Sequence, residues 1–254
     1  MTTTHFFADT STLLGRSMRH IFRSVDTIIT TAITPIAMLL MFVYVFGGAI
    51  ATDTDNYVNY VLPGILLIAI ASGIAYTSLR LFTDLSSGIF ERFNSMPIAR
   101  SSVLWAHVLT SLVANALSLV IIVLVALLMG FRTSASPVAW LAVAGILALF
   151  TLALTWIAVL AGLSAKSVDG ASAFSYPLIF LPFISSAFVP TDTMPSGVAF
   201  FAEHQPVTSI VNTIQDLFAQ REVGSDIWVA LAWCVGILVL GYVLAIRAYR
   251  RKIS

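Results

Sequence analysis

The feature that most constrains this chain is a set of six long stretches that contain no Asp, Glu, Lys or Arg. The stretches are 28–46, 57–79, 108–131, 138–163, 171–190 and 227–246. Each has about the 20 residues that a helix needs to cross a hydrocarbon core of roughly 30 Å. Lipid offers the backbone no hydrogen-bond partners, so a spanning segment must satisfy its own N–H and C=O groups. The sequence therefore predicts an all-α polytopic membrane protein with six transmembrane helices.

Composition agrees with this architecture and excludes several classes of protein. Charged residues are 10% of the chain and hydrophobic residues 59%, whereas a soluble domain carries about 25% charged residues. The net charge of +1 argues against a nucleic-acid partner, and the single cysteine, Cys234, excludes a disulfide framework. Six spans use about half of residues 1–254, which predicts one transmembrane domain and no second catalytic domain.

Basic residues predict the orientation of the spans, because cytoplasmic loops are enriched in Lys and Arg. With the amino terminus inside, the cytoplasmic segments hold eleven of the thirteen basic residues. The two on the outer side are Arg132 and Arg221. We therefore expect both termini in the cytoplasm and the protein in the plasma membrane.

Residues 8–26 show the pattern of an amphipathic helix lying on the inner membrane surface. Its apolar face holds Leu13, Leu14, Met18, Ile21, Phe22 and Val25, and its basic face holds Arg16, Arg19 and Arg23. The three arginines are the predicted membrane-interface residues, placed against anionic lipid headgroups. The alternative is a charged lead that only sets the orientation.

Residues 82–96, between the second and third spans, form a predicted cytoplasmic helix with one apolar face. Phe82, Leu85, Ile89, Phe93 and Met96 recur at helical spacing, and Pro97 ends the pattern. A short cytoplasmic helix that exposes apolar side chains is suited to a groove on a partner. A connector packed on its own bundle explains the pattern equally well.

A second non-spanning segment, 194–219, lies on the outer side and is too apolar for a free loop. Pro195 and Pro206 can each open a short helix, and the pair is predicted either to re-enter the outer leaflet or to cap the bundle. Pro177 and Pro182 interrupt the fifth span and predict helix kinks.

Catalytic and nucleotide-binding motifs are missing from the sequence. It contains no G-x-x-x-x-G-K-[ST], G-x-S-x-G or H-E-x-x-H pattern, and its scattered histidines predict no metal site. His107 is interpreted as an interfacial residue, and Asn115 as a buried helix-to-helix hydrogen-bonding residue. Because no span core holds a charge for ion coupling, the energy for any transport is expected from another subunit.

The layout resembles the permease subunits of type-2 ABC transporters, especially the daunorubicin/doxorubicin-resistance-like branch. The most specific match is Ser87–Phe93 followed by Met96–Arg100, similar to the family's Gly-x-x-Glu-Arg…x-Pro-x-x-Arg segment. The lead helix is similar to the family's elbow helix. The outer run from Phe188 to Thr208 is similar to the family's signature before the last span, although Gln205-Pro206 stands where the family usually has Asn-Pro.

The resemblance implies that segment 82–96 is a coupling helix that fits a cleft on a separate ATP-binding subunit. The predicted contact residues are Ser87, Gly88, Ile89, Phe90, Glu91, Arg92 and Phe93. It also implies two ATP-binding subunits, which hold ATP and Mg, and a second permease chain, identical or homologous. No cofactor, metal or catalytic residue is expected in this chain itself.

The expected function is an ATP-driven exporter subunit that moves an amphipathic or hydrophobic substrate, drug-like or lipid, outward past the first, second and fifth spans. The alternatives are a permease for a lipid-linked polysaccharide and a stand-alone channel or carrier. A lipid-modifying enzyme would need clustered carboxylates or histidines, and the nearest group is Asp84, Glu91 and Arg92. The substrate-binding residues stay unassigned.

Overall fold

The computed structural model describes residues 25–47, 56–87 and 100–253, and in this part of the chain all regular structure is helical. The helices are α1 (Val25–Met41), α2 (Tyr57–Ser86), α3 (Arg100–Leu128), α4 (Pro137–Ser164), α5 (Val168–Ala173), α6 (Ser175–Phe180), α7 (Ser196–His204), α8 (Pro206–Ala219) and α9 (Asp226–Ile253). A π-helical turn, Phe42–Phe46, extends α1, and a 3-10 turn, Leu181–Ile184, extends α6. The elbow segment 8–26 lies outside the described residues, apart from its last two positions.

Four of these helices are long and apolar enough to cross a membrane: α2, α3, α4 and α9. They coincide with the second, third, fourth and sixth predicted spans, although α3 ends at Leu128, three residues before the predicted end of the third span. The first and fifth predicted spans coincide with shorter apolar segments, Ala32–Phe46 and Val168–Ile184. The all-helical architecture is therefore confirmed for the described residues, with four helices long and apolar enough to span a membrane.

Two ends of the bundle can be defined from the contacts between helices. At the base end, Lys252 Nζ donates to Leu163 O at 3.0 Å, so α4 and α9 finish side by side. At the head end, Asn212 of α8 accepts from Ser186 Oγ at 2.6 Å and donates to Asp226 Oδ2 at 2.9 Å. Since α4 ends at the base and α9 begins at the head, the chain returns between them through α5 and α6.

That return path is broken where the sequence predicts kinks. α5 ends at Ala173, α6 carries Pro177 as its third residue, and Pro182 lies inside the 3-10 turn that follows. Proline removes a backbone donor and its ring collides with the preceding turn. The fifth predicted span is therefore a chain of short helices instead of one continuous helix.

Side-chain oxygens begin several of the helices, as expected for helix amino termini. Asn56 Oδ1 accepts from Val58 N at 3.4 Å, and Ser136 Oγ accepts from Ala139 N at 3.2 Å before Pro137. Ser167 Oγ accepts from Gly170 N at 3.1 Å and starts α5. These caps satisfy donors that the first helical turn leaves without partners.

The centre of the molecule is α2, which packs against α1, α3, α4 and the short helices α5 and α6. Within its most apolar window 78% of the residues are buried, against 22% for α9. α9 packs mainly along α4 and leaves apolar side chains such as Trp228, Val239 and Leu240 exposed. Exposed apolar faces of this extent are what the lipid-facing side of a spanning helix presents.

The outer segment 194–219 divides into two helices with different roles. α8 buries Val207, Ile210, Val211 and Ile214 and packs against α9, α4 and α2, so it closes the head end of the bundle. α7 exposes Phe200 and Phe201. α8 therefore caps the bundle, and re-entry of the segment into the outer leaflet stays a prediction.

Candidate functional site

The predicted contact segment for an ATP-binding subunit enters the described structure only at its first residue. Ser87 follows the last turn of α2, and its N–H donates to Thr83 O at 3.0 Å while its Oγ donates to Asp84 O at 3.1 Å. The remaining contact residues, Gly88 to Phe93, lie outside the described residues, as do the membrane-interface residues Arg16, Arg19 and Arg23. The first five residues of the predicted coupling helix, 82–86, continue α2 without a break.

A contact between a histidine and a carboxylate joins α2 to α3 immediately before this segment. His107 Nε2 lies 3.3 Å from Asp84 Oδ2, and the histidine side chain is only 10% exposed. The sequence indicates only an interfacial position for His107 and places Asp84 near Glu91 and Arg92. The sequence missed the pair because it depends on the register of two antiparallel helices, which the spacing along either helix does not report.

At the level of the His107–Asp84 pair, four helices pack around one apolar cluster toward the base end. It includes Leu81 of α2, Leu104 of α3, Trp156 of α4 and Tyr249 of α9. Lys252 adds a cation at the carboxyl end of α4, where the helix dipole and the free carbonyls favour positive charge. A displacement of the α2–α3 junction would therefore also move α4 and α9, because their side chains pack in the same cluster.

Above the cluster, hydroxyl groups link α2, α3 and α4 inside the bundle. Thr77 Oγ1 donates to Ser111 Oγ at 2.8 Å, and Ser111 Oγ lies 3.3 Å from Thr155 Oγ1. Each of the three side chains is buried. Hydrogen bonds of this kind contribute roughly 0.6 kcal/mol each between membrane helices, so this seam holds the three helices in register more than it stabilises them.

Asn115 does not make the expected bond between helices. Its Nδ2 donates to Ser111 O at 2.9 Å and Ser111 Oγ at 3.3 Å, both within α3. Its Oδ1 is buried without a hydrogen-bond partner and points at Gly73 of α2, where an added Cβ would lie 2.3 Å away. The prediction for Asn115 is therefore wrong, and Ser111 is the residue that bridges the helices. Ala69 and Gly73 are small residues four positions apart in α2, a spacing that favours close packing of membrane helices.

At the head end, an aromatic cluster connects α1 to the broken fifth segment. Phe42 stacks on Phe188 with ring centroids 4.3 Å apart, and Phe183 stacks on Phe188 at 5.0 Å. Tyr57 Oη donates to Phe188 O at 3.1 Å and ties the cluster to α2. Phe42 belongs to a π-helical turn, a feature that is frequent at functional sites.

Gln205, where the resembled family usually has Asn, holds the break of the fifth segment. Its Nε2 donates to Ile184 O at 2.7 Å and Leu181 O at 3.1 Å. These carbonyls belong to the 3-10 turn after α6, so the side chain satisfies acceptors at the helix break. The Gln205 side chain thus links the α7–α8 junction to the helix break.

Metal chemistry has no support in the described ranges, where no group of three or more His, Cys, Asp or Glu side chains could hold a metal ion. The lipid-modifying enzyme alternative named Asp84, Glu91 and Arg92, and of these three only Asp84 lies among the described residues. Asp84 contacts His107. The described part of the site therefore consists of a histidine–carboxylate contact between α2 and α3, a four-helix apolar cluster at the same level, and a seam of hydroxyl groups toward the head end.

Comparison with known proteins agrees with this arrangement. The family model of the ABC-2 type transporters matches residues 8–218. The daunorubicin resistance ABC transporter permease protein DrrB1 of Streptomyces coeruleorubidus is 27% identical over 95% of this chain and 88% of its own length. The probable doxorubicin resistance ABC transporter permease protein DrrC of Mycobacterium tuberculosis is 24% identical over 97% of this chain and 90% of its own. A putative transport permease, ycf38, of Cyanophora paradoxa is 25% identical over 86% of this chain and 77% of its own length.

The chain belongs to the ABC-2 type transporter family. It is a membrane permease subunit of an ABC transporter, and its family works with a separate ATP-binding subunit. The resemblance to the daunorubicin/doxorubicin-resistance branch is confirmed by the named relatives.

Proposed function

We propose that this permease is the membrane half of an ATP-driven exporter for amphipathic, drug-like compounds. The observation that carries the proposal is the similarity, over nearly the whole chain, to permeases named for daunorubicin and doxorubicin resistance. The uncharged span cores agree with a substrate that is itself largely apolar. ATP and Mg are held by the partner subunit, and this chain contributes no cofactor.

The working complex contains two permease chains and two ATP-binding subunits. Segment 82–96 acts as the coupling helix, with Ser87 to Phe93 in the partner's cleft and Glu91 and Arg92 as paired charges that orient it. Closure of the ATP-binding subunits displaces this segment, and the continuous helix from Ser86 back through α2 carries the displacement into the bundle. The His107–Asp84 pair makes α3 follow.

We also propose that the chain crosses the plasma membrane six times with both termini in the cytoplasm. The return of the chain from the base end to the head end between α4 and α9 supports a crossing by the broken segment Val168–Ile184. The 11-to-2 distribution of basic residues supports the base end as the cytoplasmic one. The elbow helix 8–26 then lies on the cytoplasmic surface, and α7 and α8 lie on the outer side.

The assembly proposal is tested by purifying the tagged permease from native membranes in mild detergent and measuring vanadate-sensitive ATP hydrolysis in the eluate. Glu91→Lys places a positive charge beside Arg92, and we expect recovery of ATPase activity to fall about tenfold or more, since like charges in an interface cost several kcal/mol. Glu222→Lys is the matched control, because Glu222 is an exposed glutamate at the head end.

Equal ATPase recovery from wild type and Glu91→Lys would contradict the coupling-helix assignment. Absence of any ATPase from the wild-type eluate would contradict the complex itself. The substrate class is tested separately by ATP-dependent uptake of daunorubicin into inverted membrane vesicles that contain the complex, and uptake equal to that of vesicles without the permease would contradict it.

A further inference from the structure

Two cavities meet in the head half of the molecule. The first, here called the polar cavity, has a volume of about 480 Å³ and is lined by residues that include Asn59, Arg132, Asp192, Asn212, Gln215 and Arg221. The second, here called the apolar groove, has a volume of about 540 Å³ and runs between α3 and α4. Phe218 of α8 lines both of them, so the two spaces adjoin at this residue.

The apolar groove is suited to hydrocarbon. Small side chains on facing helices, Ala116 of α3 and Ala144 of α4, leave its central space open. Thr151 is the one hydroxyl in its lining, and that hydroxyl already donates to Leu147 O at 2.7 Å. Because α3 and α4 are both helices of spanning length, the groove lies beside lipid chains.

Three aromatic rings lie at the border between the groove and the polar cavity. Phe218 contacts Phe131 at 5.2 Å and Trp140 at 5.1 Å between ring centroids. Trp140 lies at the head end of α4, one turn after its start at Pro137. Tryptophan at this level is typical of the boundary between hydrocarbon and headgroups, so the polar cavity lies at headgroup depth.

Among the residues that the structure describes, the polar cavity carries one charge of each sign without an ion-pair partner. Arg132 Nη1 donates only to carbonyls, Phe131 O at 2.8 Å and Leu127 O at 3.1 Å. Arg221, by contrast, is paired with Asp216 at 2.9 Å. Asp192 lies on a different wall, in the 3-10 turn Thr191–Thr193. Within the described ranges neither Arg132 nor Asp192 forms an ion pair.

We propose that this composite site binds one phospholipid with a phosphoethanolamine headgroup. Arg132 contacts the phosphate, Asp192 accepts from the primary ammonium, and one acyl chain lies in the apolar groove below Phe218. A guanidinium that already has its carbonyl partners is oriented for phosphate, and both volumes lie within the usual range for ligand sites of about 300–1,000 Å³. The site is distinct from the proposed drug path and depends only on the chain being a membrane protein.

The test is native mass spectrometry of the detergent-purified chain titrated with phosphatidylethanolamine, phosphatidylcholine or phosphatidylglycerol of the same acyl composition. We expect the first bound phosphatidylethanolamine to be retained roughly tenfold more tightly than the other two, because only it offers both a phosphate and an N–H donor to a carboxylate. Asp192→Asn is expected to remove this preference while leaving binding of phosphatidylglycerol unchanged or stronger.

The groove is tested with a variant of unchanged charge. Ala144→Phe fills the apolar groove and is expected to weaken retention of all three lipids by about tenfold or more. Ala232→Phe is the matched control, because Ala232 is an exposed alanine on α9, outside the groove. Arg132→Gln is also expected to weaken retention of all three lipids. If this variant loosens the end of α3, the Asp192→Asn and Ala144→Phe variants still test the proposal.

Three outcomes would each overturn the proposal. The first is equal retention of the three lipids, or a preference for phosphatidylglycerol, by the wild-type chain. The second is a phosphatidylethanolamine preference that survives Asp192→Asn. The third is the same lipid retention in Ala144→Phe and Ala232→Phe.

Discussion

At the scale of single residues, Gly162 decides how closely α4 approaches α2. A Cβ added there would lie 2.7 Å from the backbone oxygen of Ser78 and 3.3 Å from the side chain of Leu81. A backbone oxygen of a packed helix cannot rotate away, so only glycine allows this contact. Gly73 is less restrictive, because the atom it faces is the end of the Asn115 side chain.

Gly162→Ala is expected to destabilise the protein by about 1–3 kcal/mol, since overpacking at a helix contact forces the backbones apart. Gly145→Ala in the same helix has nothing within 4 Å of the added Cβ, and it should be neutral or stabilising by up to about 1 kcal/mol through helix propensity. Thermal unfolding in detergent measures both. Equal midpoints for the two variants would show that α2 and α4 are not in close contact at Gly162.

At the scale of helices, the junction of α2 and α3 combines a local and a long-range feature. The end of α2 is local, because Ser87 closes the last turn with its own N–H and hydroxyl. The His107–Asp84 pair is long-range, and it fixes the two helices at the level where the predicted coupling helix begins. A partly exposed pair contributes little to stability, about 0–1 kcal/mol, so its expected role is to transmit displacement.

His107→Gln is accordingly expected to leave the thermal midpoint and ATPase recovery near wild type. Stimulation of ATP hydrolysis by transported substrate should fall at least about twofold in the reconstituted complex. The reason is that the variant loses about 1 kcal/mol of coupling energy between α2 and α3, so α3 no longer moves with α2. His204→Gln is the control, because His204 Nδ1 contacts only Phe200 O at the head end. Loss of stability with unchanged stimulation would assign the pair a purely structural role.

At the scale of the whole molecule, the described chain is organised by two ends. The base end joins α2, α3, α4 and α9 in one apolar cluster, and the head end is closed by α8. The chain between Ser164 and Asp226 must connect them, and it does so through short helices broken near Pro177 and Pro182. A broken segment beside an aromatic cluster is easier to rearrange than a continuous helix.

Topology is tested with single cysteines in a Cys234→Ala background, since Cys234 is the chain's only cysteine and is buried. Ser225→Cys should react with a membrane-impermeant maleimide in intact cells. Ser87→Cys and Ser167→Cys should react only after permeabilisation, because both lie at the base end. Labelling of Ser167→Cys in intact cells would show that Val168–Ile184 does not cross the membrane.

The sequence by itself determined the helical membrane architecture, the positions of the long spans and the resemblance to ABC permeases. These depend on local properties: runs without charge, the positions of Lys and Arg, and short motifs such as Gly88–Arg92. The kinks at Pro177 and Pro182 were predictable for the same reason, because proline acts on its own helix.

Only the tertiary structure decided which buried groups meet. Ser111 rather than Asn115 bridges the helices, His107 pairs with Asp84, and Gly162 lies against Ser78. The tertiary structure also decided that α8 caps the bundle. It decided as well that the polar cavity and the apolar groove meet at Phe218. Each depends on the rotation and register of one helix against another, which periodicity along a single helix leaves free.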